Sequence, residues 1–238
     1  MQNKQQEIIS MFDNIARSYD LANRVMSCGI DISWRKKACE LAFKNLSTDS
    51  KSLKIADIAC GTGDMILHWQ KNALLSGKQI EKIIGLDPSA KMLEMARKKL
   101  PSIEFKQCEA TELALENTSC DILSIAYGIR NVVDRKKALG EFARVCKSGG
   151  ILVILEFTKC ENPGFLEKMM GFYTKNILPF IGGMISKNYK AYKYLPDSIE
   201  EFLTAEKLNL ELQEAGFTPL YTKAFSASVC TLFVAKRD

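Results

Sequence analysis

Two glycines stand in a short turn between a predicted strand and a predicted helix. The apolar run 53–58 predicts a buried strand, which leads through Gly61 and Gly63 into a helix predicted over 64–75. Glycines let the backbone turn tightly and approach a ligand, and the first turn of a helix offers free N–H groups. A dinucleotide-binding turn needs a small residue three positions after its second glycine, where this chain has Ile66. The turn therefore favours a ligand without phosphates that carries a ribose and an amino-acid moiety, of which S-adenosylmethionine is the common one.

A carboxylate ends the second predicted strand. Asp87 follows the run 80–86 and stands 24 residues after Gly63. A carboxylate at the carboxyl end of this strand can accept hydrogen bonds from both hydroxyls of a ribose. The alternative is that Asp87 caps a helix beginning at Pro88. The residues predicted to bind the cofactor are Asp57, Gly61, Thr62, Gly63, Asp87, Glu109, Ala110 and Ala126.

The elements around these residues alternate between short β-branched runs and helical patterns, which indicates a mostly parallel sheet covered on both faces. The predicted strands are 53–58, 80–86, 103–107, 121–126, 151–156, 217–223 and 228–235, and the last two are expected to form a hairpin at the sheet edge. The predicted helices are 64–75, 89–99, 134–146 and 199–214. We expect a single α/β domain with a Rossmann-like sheet. Its parts are an N-terminal helical cap (1–50), a cofactor-binding core (51–156), a helical insertion (157–198), and a C-terminal helix with closing strands (199–238).

Composition excludes several other classes. The 238 residues include 33 Lys and Arg against 28 Asp and Glu, and a net charge of +5 is too mild to indicate a nucleic-acid partner. The eight cysteines form no CxxC pair, so no metal site is predicted, and unpaired cysteines favour a reducing cytosol. The N-terminus lacks the apolar stretch of a secretory signal, and the longest apolar run, 177–185, is about half a membrane span. We therefore expect a cytoplasmic protein without a membrane-spanning helix.

Several motifs, in order along the chain, carry a resemblance to a known family. Tyr19-Asp20 is followed by Asn23, Ser27, Gly29 and Trp34, and the chain later reads GIRN at 128–131, RVCKSGG at 144–150 with Glu156, and YKYLPDSIEEF at 192–202. In these motifs the chain closely resembles the ubiquinone/menaquinone biosynthesis C-methyltransferases of the UbiE type over nearly its whole length. It departs from the family pattern at Asp31, where the family usually has His, at Ala22, where it has Met, and at Ala126, where many members have Ser or Asn.

The resemblance implies a class I S-adenosylmethionine-dependent methyltransferase fold and the C-methylation of a prenylated quinol. The expected reaction converts demethylmenaquinol to menaquinol, and the benzoquinol precursor of ubiquinone is a further expected acceptor. Two alternatives stay open. One is methylation of another hydrophobic small molecule, and the other is an NAD-dependent oxidoreductase, which Ile66 disfavours.

Ring methylation requires the protein to stabilise a phenolate. A phenol has a pKa of about 10, and a cation that lowers it by two units supplies about 2.7 kcal/mol. Arg130, just past the predicted strand 121–126, is the predicted cation, and Asn131 beside it is predicted to fix the quinol oxygen or a water. The alternative for Arg130 is a structural ion pair at the strand–helix junction.

The resemblance also implies catalytic roles for Tyr19 and Asp20. It places both over the cofactor mouth, where they could position the acceptor hydroxyl or relay its proton. The competing interpretation is that Asp20 caps a helix.

The helical insertion combines apolar residues with lysines. Between residues 165 and 195 its charges are five lysines (168, 175, 187, 190 and 193) and one glutamate (167). This pattern favours a lid that meets a prenyl tail and the anionic inner surface of a membrane as a peripheral contact. The alternatives are a helical cap over the core and a homodimer contact. We expect this segment to govern access of the hydrophobic acceptor, so that a polar residue in place of Phe172 or Phe180 raises the KM for the acceptor more than the KM for the cofactor.

Overall fold

The computed structural model describes residues 2–46, 52–186 and 188–238, without the side chain of Gln2. The predicted boundary between cap and core, at residues 50 and 51, and Lys187 of the insertion lie outside the described residues. The strands are β1 (Ser52–Ile58), β2 (Gln79–Asp87), β3 (Glu104–Gln107), β4 (Cys120–Ala126), β5 (Cys146–Glu156), β6 (Phe217–Phe225) and β7 (Cys230–Arg237). The helices are α1 (Gln2–Ile15), α2 (Tyr19–Ser27), α3 (Ile30–Asn45), α4 (Asp64–Leu75), α5 (Ala90–Lys99), α6 (Arg135–Val145), α7 (Phe165–Phe172), α8 (Leu178–Ser186), α9 (Tyr189–Glu201) and α10 (Ala205–Glu214).

The strands form one seven-stranded sheet in the order β3-β2-β1-β4-β5-β7-β6, which confirms the predicted fold class. β1 pairs in parallel with β2 on one side and with β4 on the other. β7 runs antiparallel to both β5 and β6, so the predicted hairpin is present with β6 outermost. The chain first adds β2 and β3 on one side of β1 and then crosses over to add β4 and β5 on the other side. A crevice therefore opens between the carboxyl ends of β1 and β4, and this is the usual ligand position in such sheets.

Helices cover both faces of the central strands. β4 is buried along nearly its whole length, as expected for a parallel strand between two helical layers. On one face Phe43 of α3 meets Trp69 of α4 edge to face, with ring centroids 5.4 Å apart. On the other face Phe142 of α6 and Leu212 of α10 pack into a second core. The strand ends that carry the predicted site residues are therefore held between two packed layers.

The prediction of one continuous helix over 199–214 is wrong. α9 and α10 share this stretch, and the backbone of Phe202 and Thr204 between them is extended. Phe202 buries its ring in the core, and the Thr204 hydroxyl accepts a hydrogen bond from the Lys207 N–H at 3.3 Å as a helix N-cap. No glycine or proline marks the break, so apolar periodicity alone predicts an uninterrupted helix.

The insertion is helical, as predicted. A π-helical turn (Tyr173–Ile177) joins α7 to α8, and α9 follows. Leu178 and Tyr192 pack with Ala22 and Met26 of α2, so the insertion rests on the N-terminal helices. Within the described ranges, no helix is both long and apolar enough to cross a membrane.

Candidate functional site

Two adjoining cavities lie at the carboxyl edge of the sheet. The smaller one, here called the strand-end cleft, has a volume of about 70 Å³. The larger one, here called the large cavity, has a volume of about 550 Å³. Phe12, Tyr19 and Tyr127 line both, so the two spaces meet at these aromatic side chains.

The strand-end cleft brings together residues that are far apart in the sequence. Five of the predicted cofactor-binding residues line it: Gly61, Asp87, Glu109, Ala110 and Ala126. They converge because the carboxyl ends of neighbouring parallel strands share one edge of the sheet. The opposite wall is α1, whose Gln5 accepts a hydrogen bond through Oε1 from the Val133 N–H at 3.0 Å. The N-terminal helix thus closes over the cleft.

Asp87 joins the end of β2 to the glycine turn. Its Oδ2 accepts from the Gly61 N–H and its Oδ1 from the Ser89 N–H, each at 2.8 Å. Burial raises its pKa to about 6. The predicted alternative of Asp87 as a helix cap is wrong, because the N-cap of α5 is Ser89, whose hydroxyl accepts from the Met92 N–H.

Asp57, at the end of β1, carries an unpaired carboxylate oxygen. Its Oδ1 accepts from the Ser124 hydroxyl at 2.6 Å, and that hydroxyl accepts from the Trp69 indole N–H. Its buried Oδ2 has no hydrogen-bond partner among the described residues. Burial raises the pKa of Asp57 to about 7. A buried carboxylate oxygen without a hydrogen-bond partner is energetically costly, and a nearby cation would stabilise its charged form.

Thr62 and Gly63 support the glycine turn and do not line the strand-end cleft. Gly63 has a φ of 87°, and a Cβ there would lie 2.8 Å from a leucine side chain. The Thr62 hydroxyl donates to Asp20 Oδ1 at 2.5 Å, and Lys99 Nζ lies 2.6 Å from Asp20 Oδ2. Asp20 therefore ties α2 to the turn and lines neither cavity. The predicted cap role for Asp20 is wrong, because the N-cap residue is Ser18.

Tyrosines stand where the two cavities meet. The ring of Tyr19 covers the glycine turn, since a Cβ on Gly61 would lie 3.9 Å from its Cε1, and burial raises the pKa of Tyr19. Tyr127 has a φ of 59°, a left-handed conformation that an aromatic residue rarely adopts, and its N–H donates to the Leu155 carbonyl at 2.7 Å. Strain of this kind clusters at functional sites.

Arg130 lines the large cavity and makes an ion pair. Its Nη1 donates to Glu156 Oε1 at 2.5 Å and to the Tyr127 carbonyl at 2.9 Å, and its Nε donates to the Ser198 hydroxyl at 3.3 Å. The two charged side chains are 6% and 0% exposed. The ion pair that the sequence offered as the alternative is therefore present. Within the described part of the chain, the remaining Nη2 makes no hydrogen bond.

Asn131 lines the strand-end cleft, away from its predicted position beside a quinol oxygen. Its Nδ2 donates to the Tyr127 carbonyl at 3.2 Å, and its Oδ1 accepts from the Tyr194 hydroxyl at 3.1 Å. Both ends of the amide are thus engaged in fixing the wall between the two cavities.

The large cavity is mostly apolar. The insertion contributes Leu166, Met169, Met170, Tyr173, Leu178 and Tyr192 to its lining. Phe172 and Phe180, the two side chains predicted to affect the acceptor KM, lie outside the lining and are 63% and 62% exposed. The predicted segment does line the large cavity, but the two side chains named for it lie on its outer surface.

Arg35 and Phe157 line the large cavity, although no sequence pattern pointed to them. Arg35 of α3 is buried, pairs with Asp31, and lies with its Cζ 5.1 Å from the centroid of the Tyr127 ring. The Phe157 ring stacks on the Tyr127 ring, with the two centroids 4.8 Å apart. The sequence around Arg35 is a basic run that is typical of a solvated helix face, so it gave no signal of burial.

The strand-end cleft has the donors and acceptors that S-adenosylmethionine requires. Each Asp87 oxygen retains a lone pair for a ribose hydroxyl. Asp57 is buried near the end of β1 and does not line the cleft, so it can offer negative charge to a cationic α-ammonium group but no direct contact in this structure. A Cβ on Gly128 would lie 2.6 Å from the Ala59 Cβ, so the backbone there closes tightly on the turn.

The fold and the strand-end cleft together define a class I S-adenosylmethionine-dependent methyltransferase. A solved SAM-dependent methyltransferase from Aquifex aeolicus aligns with a TM-score of 0.56 over 83% of this chain and 88% of that chain, at 16% identity. The particular family follows from the sequence: residues 1–237 match the ubiE/COQ5 methyltransferase family, and the chain belongs to it.

Two relatives are similar over nearly their full lengths. The ubiquinone/menaquinone biosynthesis C-methyltransferase UbiE of Campylobacter jejuni strain 81116 is 57% identical over 98% of this chain and 99% of its own. The demethylmenaquinone methyltransferase of Thermotoga maritima is 38% identical over 94% of this chain and 93% of its own. The resemblance predicted from the motifs is confirmed, and these relatives do not favour the oxidoreductase alternative.

Proposed function

We propose that this methyltransferase methylates a ring carbon of a prenylated quinol, with demethylmenaquinol as the acceptor and menaquinol as the product. The large apolar cavity that adjoins the strand-end cleft carries the proposal, because its volume of about 550 Å³ suits a bicyclic ring with part of a tail. The names of the two relatives point to the same class of acceptor. The benzoquinol precursor of ubiquinone is a second acceptor of this class.

Methylation at carbon sets three demands on the protein. The acceptor becomes nucleophilic at a ring carbon when one hydroxyl loses its proton, so the cavity must hold a phenolate. When bound, S-adenosylmethionine supplies the electrophilic methyl group, and its sulfur keeps the electron pair of the C–S bond that breaks. The ring carbon forms the new C–C bond and then releases its proton. The protein therefore has to fix both partners, provide a cation and exclude water.

Different residues in and beside the strand-end cleft would bind different parts of the cofactor. Asp87 would accept hydrogen bonds from the ribose hydroxyls. Asp57, which does not line the cleft, would attract the cationic α-ammonium group through its charge. The turn at Gly61 brings backbone close to the ligand, and Glu109 with Ala110 would meet the adenine. Thr62 and Gly63 would act on the cofactor indirectly, by holding that turn in place.

Arg130 is the proposed cation for the phenolate. Glu156 and the Tyr127 carbonyl fix its guanidinium, which leaves Nη2 available for the acceptor oxygen. Tyr19, between the two cavities, would position the acceptor hydroxyl. Asn131 would support this arrangement through its hydrogen bond to the Tyr127 carbonyl, and Asp20 would anchor the helix that carries Tyr19.

The mouth of the large cavity opens on an exposed apolar surface of the insertion. Leu166 and Met169 line the cavity and are 64% and 56% exposed. The other exposed apolar side chains of this surface are Phe165, Phe172, Phe180 and Met184. Lys168, Lys190 and Lys193 are exposed and make no ion pair within the described residues. We propose that this surface contacts an anionic membrane, from which a prenyl tail enters the cavity.

Analysis of cellular quinones tests the acceptor. Cells that lack the gene should lose menaquinone and accumulate the demethylated form, and the wild-type gene should restore the methylated quinone. Accumulation of an unmethylated benzoquinone alone would shift the proposal to the ubiquinone branch. An unchanged quinone profile would contradict the proposal.

Vesicle binding tests the membrane contact. We expect Phe172→Ser with Phe180→Ser to weaken binding to phosphatidylglycerol vesicles at least about tenfold, since burying one Phe side chain contributes roughly 1.5–3 kcal/mol. Leu74→Ser with Leu75→Ser is the matched control, because these leucines are 83% and 70% exposed at the far end of α4. Equal losses in both variants would contradict the proposal. A dimer in solution that only the Phe variant dissociates would assign the surface to a homodimer.

A further inference from the structure

Arg35 lines the large cavity with hydrogen-bonding capacity that the described residues leave unused. Its Nη1 pairs with Asp31, and its Nε is completely buried without a partner. Its Nη2 also makes no hydrogen bond among the described residues, but this nitrogen, unlike Nε, is not completely buried. An open guanidinium donor in the wall of a ligand cavity indicates a contact that the ligand can complete.

Arg35 and Arg130 each lie against an aromatic ring of the cavity wall. The Arg35 Cζ is 5.1 Å from the Tyr127 ring centroid, and the Arg130 Cζ is 5.3 Å from the Phe157 ring centroid. The Tyr127 and Phe157 rings stack on each other, with centroids 4.8 Å apart and an interplanar angle of 24°. All four residues line the large cavity, so an acceptor ring that carries oxygens meets two guanidinium groups there.

The two guanidinium groups differ in how completely they are neutralised. Glu156 pairs with Arg130 alone. Asp31, the partner of Arg35, also accepts from Arg24 Nη1 at 2.9 Å and from the Ser27 hydroxyl at 2.7 Å. Arg24 also lies near Asp64, with its Nη2 3.6 Å from Oδ2. Arg35 therefore holds its positive charge in the cavity wall with a shared counterion and with its Nη2 unpaired among the described residues.

We propose that Arg35 is an acceptor-binding residue, whose Nη2 donates a hydrogen bond to an ionised oxygen of the quinol ring. This inference rests on the proposed quinol acceptor and adds a second cation to the one at Arg130. Asp31 is the positioning residue that holds the guanidinium in the cavity wall. The arrangement explains why a buried arginine is placed beside the stacked rings with one donor left open.

The test compares two probes that differ only in their oxygens. One is a short-chain prenyl naphthoquinol kept reduced under nitrogen, and the other is its dimethyl ether, which cannot ionise. Binding is measured with S-adenosylhomocysteine present, so that no methyl transfer occurs. In Arg35→Gln we expect the quinol to bind about tenfold or more weakly, because a hydrogen bond to a charged group is lost. The ether should bind within about twofold of the wild-type affinity, since it makes no charged contact.

Arg24→Gln is the matched control. It removes the other arginine from Asp31 but does not line the cavity, and its side chain is 42% exposed. We expect this variant to bind both probes like the wild type. Equal weakening of quinol and ether in Arg35→Gln, or the same loss of quinol binding in Arg24→Gln, would overturn the inference.

Arg35→Lys answers the question if Arg35→Gln does not fold. Lysine keeps the charge beside Asp31 but lacks the second guanidinium donor, Nη2. We expect partial loss of the preference for quinol over ether, while an undiminished preference would overturn the role of Nη2. A wild-type protein that prefers neither probe would refute the proposed acceptor, and this inference with it. Unchanged cofactor affinity in each variant shows that the cleft is intact.

Discussion

The guanidinium of Arg130 donates through Nη1 to Oε1 of Glu156 at 2.5 Å, and the Glu156 side chain is completely buried. Glu156 is further fixed by the Phe157 N–H, which donates to Oε1, and by the Arg130 N–H, which donates to Oε2. The arginine is therefore held rigidly at the cavity wall, but it is also needed to neutralise a carboxylate. Any experiment on its chemistry has to separate these two roles.

Arg130→Gln should lower kcat on the order of 100-fold at neutral pH, the effect of losing about 2.7 kcal/mol of phenolate stabilisation. The deficit should shrink as the pH approaches the phenol pKa of about 10, because a cation lowers that pKa and high pH makes its help unnecessary. Steady-state kinetics across this pH range would show the convergence. A pH-independent deficit would indicate positioning instead.

The double variant Arg130→Gln with Glu156→Gln controls for the buried carboxylate. Removing Arg130 alone should destabilise the fold by about 3–5 kcal/mol, since Glu156 is left unpaired, and the second substitution should restore most of that stability. The kinetic deficit should persist in the double variant. A double variant with wild-type kcat would remove the Arg130 charge from the mechanism.

Asp87→Ala should weaken S-adenosylmethionine binding by roughly 1.5–3 kcal/mol, as expected for lost hydrogen bonds to a charged group. Because the pKa of Asp87 is raised to about 6, wild-type affinity should also fall as the pH drops below about 6 and protonates the carboxylate. Titration calorimetry measures both effects. Asp13→Ala is the control, since Asp13 accepts from the Ser89 hydroxyl at 2.6 Å but does not line the cleft. Unchanged affinity in a folded Asp87→Ala variant would refute the ribose contact.

Asp57 should release a proton when the cofactor binds. Its pKa of about 7 leaves much of it protonated near neutrality, and a cationic α-ammonium group would lower that pKa. Calorimetry in two buffers of different ionisation enthalpy would detect the release, and Asp57→Asn should abolish it.

In the free protein the same raised pKa of Asp57 makes the folded state bind more protons than the unfolded state between about pH 4 and pH 7. This contribution to stability is present below about pH 4 and lost as the pH rises to about 7.

Gly182 in α8 should tolerate no side chain. A Cβ there would lie 2.3 Å from Cδ1 of Tyr192, so Gly182→Ala should reduce the free energy of unfolding by about 1–3 kcal/mol through overpacking. Gly171→Ala in α7 meets no atom within 4 Å and should be neutral or stabilising by up to about 1 kcal/mol. Denaturant unfolding compares the two. Equal effects would mean that Tyr192 does not pack on Gly182 as described.

Much of the strand-end cleft could be predicted from the sequence. Gly61 and Asp87 each follow an apolar run, and parallel strands bring such positions to one edge whatever the details of packing. The prediction went wrong where a role depends on a distant partner. Asp20 was predicted at the cofactor mouth, but its contacts with Thr62 and Lys99 make it a tether, and no local pattern reveals such contacts.

The large cavity was harder to predict because its walls come from helices. Arg35 precedes two lysines, and a helical pattern with three basic residues in a row looks solvated even when the first one is buried. In the insertion nearly every turn is apolar, so periodicity could not decide that Met170 faces the cavity while Phe172 faces outward. Tertiary packing settles these orientations, and the local sequence does not reveal it.

The central claim is methyl transfer to a ring carbon of a prenylated quinol. The most direct measurement incubates the purified protein with methyl-labelled S-adenosylmethionine and a reduced short-chain demethylmenaquinol, and locates the label by tandem mass spectrometry. We expect the label on a ring carbon, with both oxygens of the product free. Label on an oxygen, or no transfer from a protein that binds the cofactor, would contradict the account.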